Sequence, residues 1–322
     1  MVELVGRVVL GGRSVRAARP SRGGLSRFDA EGARLVAVGL GGAPQADPGQ
    51  LAGELERFVL GADAILPPLA AEVIDGDLVV GYAARGAETL DQTIARGATP
   101  PPRVADIADG VAQALGFLHD RGLAHGFLRP DLVSTDVGRI ALEGYGLDRL
   151  ILGCAGREAL LSALGDPYAA PELAASSARE GRPAADVRAL GVIIVELLAG
   201  RPVASDEAPR EALAALGLAE PARTLLAAAL APEPSRRPMD VVRFATELGD
   251  ALRSAPLLQS PSRPALPSRP QLRSRSRTRR QTRRRSRPRL RSRRRRRTRR
   301  RRSRNRPSLP AWTRSPAPCG PC

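Results

Sequence analysis

Two kinds of hydrophobic pattern follow one another along the chain. Up to about residue 100, apolar residues come in short runs rich in β-branched side chains and bounded by glycine, as in Val2–Leu10 and Arg34–Leu40. Such runs are typical of strands. The stretch Ile74–Tyr82 contains an Asp-Gly-Asp turn before three apolar residues, which predicts a hairpin. With a helix predicted over Pro48–Leu60, this region is expected to form a small twisted sheet carrying one helix.

From Arg103 onward the spacing of apolar residues becomes helical. A first helix is predicted from apolar residues three and four positions apart, with Gly122 as its stop signal; these residues are Ile107, Val111, Leu115 and Leu118. A second helix is predicted over Asp186–Ala199, where Asp186 can cap the start and Gly200 the end. Three further Ala/Leu-rich helices are predicted over Glu211–Leu216, Pro221–Leu230 and Pro238–Leu252.

The net charge of +18 is the sum of two very different parts. Residues 1–260 hold 26 arginines and all 33 acidic residues, which gives −7, whereas residues 261–322 hold 25 arginines and no acidic residue. Beyond Ser254 the sequence alternates Pro, Ser and Arg without any apolar period, so no core offsets the entropy of ordering it. We expect a disordered basic tail over residues 254–322.

Cysteine usage and apolar run lengths indicate the compartment. Three cysteines in 322 residues do not make a disulfide framework, which favours a reducing compartment. The N-terminus has no basic-then-apolar signal pattern. The longest apolar run, Ala189–Gly200, is interrupted by Glu196 and is shorter than the ~20 residues that span a bilayer. These features predict a cytoplasmic protein without a membrane anchor.

Two loops follow the first predicted helix of the second region. The helix stop is followed by His125-Gly126-Phe127-Leu128-Arg129-Pro130-Asp131-Leu132, a short strand comes next, and Gly144-Tyr145-Gly146 follows it. This arrangement resembles the catalytic core of the protein kinase family, where the two loops read His-Arg-Asp and Asp-Phe-Gly. The resemblance, to bacterial Ser/Thr kinases in particular, implies an α+β bilobal fold.

The lobes implied by the resemblance follow the two hydrophobic patterns. A small β-rich N-lobe is expected over residues 1–84 and a larger helical C-lobe over residues 85–253. The family transfers the γ-phosphate of ATP with the help of Mg²⁺. The resemblance therefore implies that the chain would use ATP and Mg²⁺ if it has the side chains that this transfer requires.

The positions that carry the chemistry in kinases hold other residues here. Phe127 stands where the family has its catalytic aspartate, and a phenyl ring cannot accept a proton. Leu132 and Gly144 stand at the two metal-binding positions, which removes the oxygen ligands that magnesium requires. Arg129 replaces the loop lysine and keeps its positive charge. Nearby carboxylates that could substitute are Asp131, Asp136, Glu143 and Asp148.

The phosphate-binding groups of the N-lobe are also missing. Val36-Ala37-Val38-Gly39 resembles the strand that ends in the family's phosphate-binding lysine, with Gly39 at the lysine position. The chain contains no lysine, so only an arginine from elsewhere could take this role. Glu54 or Glu56 would be the helix glutamate that pairs with the lysine, although a solvated helix face explains them as well. The resemblance places nucleotide-binding positions at Gly11, Gly12, Val15, Ala37, Gly81 and Ala83.

Segments that take no part in phosphate transfer resemble the kinase family more closely than the two loops do. Residues 166–172, Asp-Pro-Tyr-Ala-Ala-Pro-Glu, resemble the end of the activation segment, and residues 234–238, Pro-Ser-Arg-Arg-Pro, resemble the Arg-Pro segment. The resemblance implies a buried ion pair between Glu172 and Arg237, an Asp186 that caps loop backbone, and a structural His125. The activation segment, Leu147–Leu164, contains one hydroxyl residue, Ser162. His119 and His125 have no third residue spaced for a metal site.

Two motifs in the tail carry competing interpretations. Residues 273–306 contain Arg-Ser repeats and poly-Arg runs that would bind nucleic acid or another polyanion through phosphates, without sequence preference. The alternative is that this composition comes from an out-of-frame reading of a Glu-Pro-rich linker. Cys319-Gly320-Pro321-Cys322 has the text of a thioredoxin motif but lacks the strand and helix that such a motif needs.

The sequence thus predicts a catalytically inactive pseudokinase that binds a protein partner. An active Ser/Thr kinase with relocated metal ligands, using ATP and Mg²⁺, is the first alternative. A polyanion-binding protein that acts through its tail is the second. The fold by itself does not decide among the three.

Overall fold

The computed structural model describes residues 15–20, 24–30, 33–59, 62–85, 88–136, 139–165, 167–175, 183–203 and 208–254. Several sequence predictions lie outside these residues: the strand Val2–Leu10, the glycines Gly11 and Gly12, the side chain of Val15, Asp166, and the whole tail from residue 255 to Cys322.

The N-terminal region is a five-stranded antiparallel sheet with one helix. The strands are β1 (Val15–Pro20), β2 (Leu25–Ala30), β3 (Ala33–Gly39), β4 (Pro68–Ile74) and β5 (Asp77–Ala83), in the order β1-β2-β3-β5-β4. The predicted hairpin joins β4 to β5, and its turn residues Asp75 and Gly76 both have positive φ, as a tight two-residue turn requires. Helix α1 (Pro48–Glu56) begins at Asp47, whose carboxylate accepts hydrogen bonds from two backbone N–H groups of the first turn.

The two faces of this sheet differ because side chains alternate along each strand. Val36 and Val38 of β3 share a core cluster with Leu55 of α1 and with the buried residues of the helical region. Leu35 and Ala37 belong to a small separate cluster on the opposite face. The first of these faces is therefore the one turned toward the helical region.

The C-terminal region is mostly helical around one buried helix. It contains a small sheet, formed by β6 (Glu88–Thr89), β7 (Val133–Asp136) and β8 (Arg139–Leu142). Its helices are α2 (Leu90–Ala95), α3 (Pro101–His119), α4 (Leu147–Leu164), α5 (Pro171–Ala175), α6 (Pro183–Ala199), α7 (Ala208–Ala215), α8 (Glu220–Ala229) and α9 (Val241–Ser254). Every residue of α6 from Ala185 to Leu198 is buried, so this helix forms the centre of the core. No helix among the described residues is long and apolar enough to cross a membrane.

The structure differs from the sequence predictions at several helix starts. Helix α6 begins at Pro183 and not at Asp186, because proline fits the first turn of a helix, where its missing N–H costs nothing. Asp186 therefore lies inside α6 and its carboxylate is directed at another segment. The activation segment Leu147–Leu164 forms α4, which is kinked at Gly156, where φ is +81°.

Candidate functional site

The loop that contains His125 is held by Asp186 of the central helix. The backbone N–H groups of His125 and Gly126 donate to the two carboxylate oxygens of Asp186 at 2.8 and 2.9 Å. The ring Nε2 of His119 lies 3.1 Å from the same carboxylate. Gly126 has a φ of +74°, and a Cβ there would lie 2.2 Å from Asp148 Oδ2, so this position requires glycine. The loop backbone is thus fixed by one buried acid.

Phe127 is fully buried and offers no acid or base. Its side chain is 0 % exposed and belongs to the main core cluster. Its backbone N–H donates to His125 Nδ1 at 3.3 Å. Burial lowers the pKa of His125, although the negative charge of Asp186 acts in the opposite direction. The lowered pKa favours the neutral ring, which this hydrogen bond requires. At the position of the kinase aspartate the chain has a packing residue.

All three guanidinium nitrogens of Arg129 donate hydrogen bonds to other groups of the protein. It donates to both carboxylate oxygens of Asp131, at 3.0 and 3.2 Å, and to the carbonyl oxygens of Ala163 and Leu164, at 2.7 and 2.8 Å. The side chain is 1 % exposed. It therefore satisfies the last carbonyls of α4, which have no partner within the helix. Arg129 and Asp131 together anchor the end of α4.

The second loop also contains no metal ligand. A Cβ at Gly144, whose φ is +84°, would lie 2.8 Å from Leu132 Cδ1, so Leu132 and Gly144 pack directly against one another. Tyr145 is buried, and its carbonyl oxygen accepts a long hydrogen bond of 3.5 Å from the hydroxyl of Tyr82. Within the part of the chain that the structure describes, no group of three or more His, Cys, Asp or Glu residues could hold a metal ion.

Two buried arginines of the sheet reach the loops of the helical region. Arg34 of β3 forms an ion pair with Glu143, and Arg27 of β2 donates to the backbone carbonyl of Asp131. Ser134 of β7 also donates to Glu143, at 3.1 Å. Arg27 is 2 % exposed, Arg34 is 7 % exposed and Glu143 is 0 % exposed. We call these three residues the inter-lobe charge cluster; it connects the sheet to the loops directly.

Sequence reasoning missed the two arginines of this cluster, although a signal was present. Arg27 stands opposite Val36 in the β2–β3 register, and Arg34 is two residues from Val36 along β3. The period of two along a strand therefore puts both arginines on the face that carries the core valines. A charged residue in phase with a buried apolar face is the pattern that marks such a contact.

Of the nucleotide positions implied by the resemblance, the three on β3 and β5 lie on one face of the sheet. Ala37 packs with Leu35, and Gly81 pairs with Leu35 across β3 and β5, so both positions face away from Arg34. Ala83, which pairs with Ala33, lies on that same face. Gly39 is exposed at the end of β3, so it is Arg34 that reaches in from β3. The strand register turns Val36 and Val38 toward the helical region, and nucleotide binding at the other face stays a prediction.

Helix α1 meets α4 through small residues and contributes no carboxylate to the loops. A Cβ at Gly146 would lie 2.6 Å from Leu55 Cδ1, and one at Gly153 would lie 2.9 Å from Leu51 Cδ1. Glu54 and Glu56 lie on the exposed face of α1, where Glu54 accepts a hydrogen bond from Gln50. The other carboxylates that could substitute are spread out, since Asp136 is exposed on β7 and Asp148 is buried beside Gly126.

Glu172 and Arg237 form an ion pair with two hydrogen bonds, in which the arginine side chain is buried and that of Glu172 is 11% exposed. Arg237 Nη1 and Nη2 donate to the two oxygens of Glu172 at 2.6 and 2.9 Å. Arg237 also donates to three backbone carbonyls, those of Ala231, Pro232 and Ala184. The guanidinium thus joins α5, the start of α6 and the segment before α9. Like Asp186, this pair joins separate segments of the helical region and stabilises it.

Burial of Glu143 makes the charge cluster sensitive to pH. Burial raises the pKa of Glu143 from 4.5 to about 7, although Arg34, Arg27 and Ser134 act in the opposite direction. Between these two values the folded chain binds more protons at Glu143 than the unfolded chain, so this group contributes stability below pH 4.5 that is lost as the pH rises to about 7.

We expect Glu143→Gln to remove this pH dependence. Relative to wild type, the free energy of unfolding of the variant should rise by about 3 kcal/mol between about pH 4.5 and pH 8, since one pKa unit corresponds to ~1.4 kcal/mol. Urea unfolding at each pH measures the difference. Glu54→Gln, on the exposed face of α1, is the matched control and should follow wild type. Parallel curves for wild type and Glu143→Gln would contradict the buried cluster.

Comparisons with known proteins find similarity to protein kinases. No family model matches the chain. A serine/threonine-protein kinase of Corynebacterium efficiens is 28% identical over 191 residues, which cover 56% of this chain and 36% of that protein. A probable inactive receptor kinase of Arabidopsis thaliana is 39% identical over 99 residues, which cover 30% of this chain and 9% of that protein. The chain thus spans 36% of the length of the first of these relatives and 9% of the length of the second.

Solved structures show the same fold. The kinase domain of Mycobacterium tuberculosis PknI, solved as a double mutant, aligns with a TM-score of 0.52 at 23% identity, over 75% of this chain and 96% of that domain. The bilobal α+β fold expected from the sequence is confirmed by this likeness. The chain is therefore a protein-kinase-like protein, similar in sequence and fold to bacterial Ser/Thr kinases.

Proposed function

We propose that this protein is a pseudokinase, a regulatory or scaffolding module that binds a protein partner and does not transfer phosphate. The observation that carries the proposal is the inter-lobe charge cluster. Arg27 and Arg34 reach from the sheet to the loops of the helical region and are both buried there. In a kinase the triphosphate and its metal lie between these same elements. Here the side chains of Arg27 and Arg34 lie between these elements, which favours a closed cleft without nucleotide.

The groups that remain near the loops favour a structural role over catalysis. Transfer requires a base for the acceptor hydroxyl and oxygen ligands for the metal. The base position is the buried Phe127, and the ligand positions Leu132 and Gly144 pack against each other. Arg129, the one charge kept from the loop, binds α4. An active kinase would need Asp131 or Glu143 to leave its arginine and bind a metal.

Nucleotide binding is the direct test of this proposal. We expect ATP, with or without Mg²⁺ or Mn²⁺, to leave the unfolding temperature of the full chain unchanged. A ligand present at 100 times its Kd would add about 2.7 kcal/mol of stability, which such a measurement detects readily. A catalytically active bacterial kinase domain serves as the positive control. Metal-dependent stabilisation together with phosphate transfer to a generic protein substrate would overturn the proposal in favour of an active kinase.

A second candidate function rests on the charge distribution of the sequence. Residues 261–322 hold 25 arginines and no acidic residue, with the densest runs in residues 273–306. A polycation of this kind would bind nucleic acid or another polyanion through phosphates. The three cysteines favour a reducing compartment for either function, which we infer to be the cytoplasm.

The tail function predicts a steep salt dependence. If 6–10 phosphates are contacted, the affinity of the full chain for duplex DNA should fall by roughly 10³–10⁵ between about 50 and 200 mM salt. Fluorescence anisotropy with a labelled duplex at four salt concentrations measures the slope, and a chain ending at residue 260 is the control that should lose the binding. A flat salt response would remove this candidate.

A further inference from the structure

A groove on the helical region lies far along the chain from the loops described above. It is formed by α7, α8 and the segment that follows α8, and its cavity volume is about 550 Å³. Its apolar lining is mostly alanine; the apolar residues are Leu213, Ala214, Ala227, Ala228, Ala231 and Pro232. We call this feature the alanine groove. The small alanine side chains leave room that larger apolar residues would fill.

Three arginines surround the alanine groove and only one acid lies among them. Arg210, Arg223 and Arg236 line it together with Glu233. Arg223 pairs with Glu220, and Arg236 lies 3.7 Å from Glu233, but both pairs are exposed and join residues three apart on one helical turn. Exposed pairs of this kind contribute about 0–1 kcal/mol, so either arginine can exchange its partner for another carboxylate at little cost.

Arg210 is the best placed of the three to receive a new partner. Its guanidinium forms no ion pair with the described residues, and its hydrogen bond to the carbonyl oxygen of Leu230 is long, at 3.4 Å. Arg210 stands at the start of α7, where the positive end of the helix dipole adds to its charge. The rim therefore attracts negative charge, while the apolar lining favours burial of an apolar side chain.

We infer that the alanine groove is the docking site for an acidic segment of a partner protein, one that carries apolar residues between carboxylates. The apolar side chains would fill the space above the alanines, and the carboxylates would pair with the three arginines. The tail of this chain does not fit, since residues 261–322 are as positive as the rim. This inference rests on the proposed function, because it gives the scaffold a partner surface.

Two peptides and two variants test this inference on the full chain. One labelled peptide has two leucines between blocks of Glu and Asp, and the other has glycines in place of the leucines. The arginine tail attracts both peptides equally through charge, so the ratio of their affinities reports the groove alone. We expect the leucine peptide to bind about tenfold more tightly, since partial burial of one leucine is worth ~1.4 kcal/mol.

The preference for leucine should disappear in both groove variants. Ala227→Phe fills the groove without changing any charge, and Ala227 is exposed, so the fold tolerates it. The double variant Arg210→Glu, Arg236→Glu reverses the rim. Arg243→Glu, on the exposed face of α9, is the matched control and should keep the preference. Thermal unfolding of each variant shows that it is folded.

Three results would overturn the inference: equal binding of the two peptides, no binding of either, or a leucine preference that survives in both groove variants. A decrease in DNA binding in the rim variant, with peptide binding unchanged, would assign the rim to nucleic acid and would also overturn it. Phosphate transfer by a protein that still shows the leucine preference would instead overturn the proposed function and leave the docking site in place.

Discussion

Phe127→Asp, which puts back the side chain that a kinase uses, is expected to destabilise the protein and not to activate it. Phe127 is fully buried in the main core cluster. Removing a buried phenyl ring costs about 3–5 kcal/mol, and an unpaired polar group in its place adds about 1–3 kcal/mol. The sum is comparable to the whole stability of a typical domain, about 5–15 kcal/mol.

Urea unfolding and a phosphate-transfer assay measure the two halves of this prediction. Phe127→Leu is the matched control, because it keeps an apolar side chain and should cost much less than the aspartate. A Phe127→Asp protein that unfolds within about 1 kcal/mol of wild type would contradict the packing role of the ring. Transfer of phosphate by that variant would show that the cleft admits ATP, and would contradict this prediction.

Arg237→Ala is expected to have the second largest effect. The substitution leaves the largely buried carboxylate of Glu172 and three backbone carbonyls without their donor. Breaking a buried pair by removing one partner costs about 3–5 kcal/mol. For a domain of this size the unfolding temperature should fall by on the order of 10 °C.

The neighbouring residue offers a control of the same type. Arg236 is also an arginine, but its side chain is 75% exposed and its acidic partner lies 3.7 Å away. Arg236→Ala should therefore change stability by less than about 0.5 kcal/mol. Glu172→Gln combined with Arg237→Ala should cost less than the sum of the single variants, because the two side chains share one network. Equal losses from Arg236→Ala and Arg237→Ala would contradict the buried ion pair.

Much of the fold could be predicted because its signals are local. The period of three and four in Ile107, Val111, Leu115 and Leu118 marks α3, whose apolar face is buried as the pattern requires. The hairpin of β4 and β5 is predicted for an equally local reason. Its two turn residues, Asp75 and Gly76, both have positive φ, and few residue pairs other than Asp-Gly and Asn-Gly tolerate that conformation.

The remainder depends on contacts between residues distant in the chain. Helix α4 has a weak apolar pattern, and its carbonyl end is completed by Arg129, 34 and 35 residues away. Arg34 meets Glu143 across 109 residues. No local pattern identifies such a partner, because only the folded strand order brings the two side chains together. The faces on which Ala37 and Val36 lie depend on register in the same way, because a shift of one residue moves a side chain to the other face of the sheet.

The contact between Leu132 and Gly144 has an evolutionary consequence. A Cβ on Gly144 would lie 2.8 Å from Leu132 Cδ1, so an aspartate at residue 144 needs a smaller residue at 132 first. An asparagine at 132, introduced alone, would bury an amide among apolar neighbours. On the proposed function, each single step toward a metal site therefore costs stability before it supplies a complete set of ligands, so the two positions would have to change together.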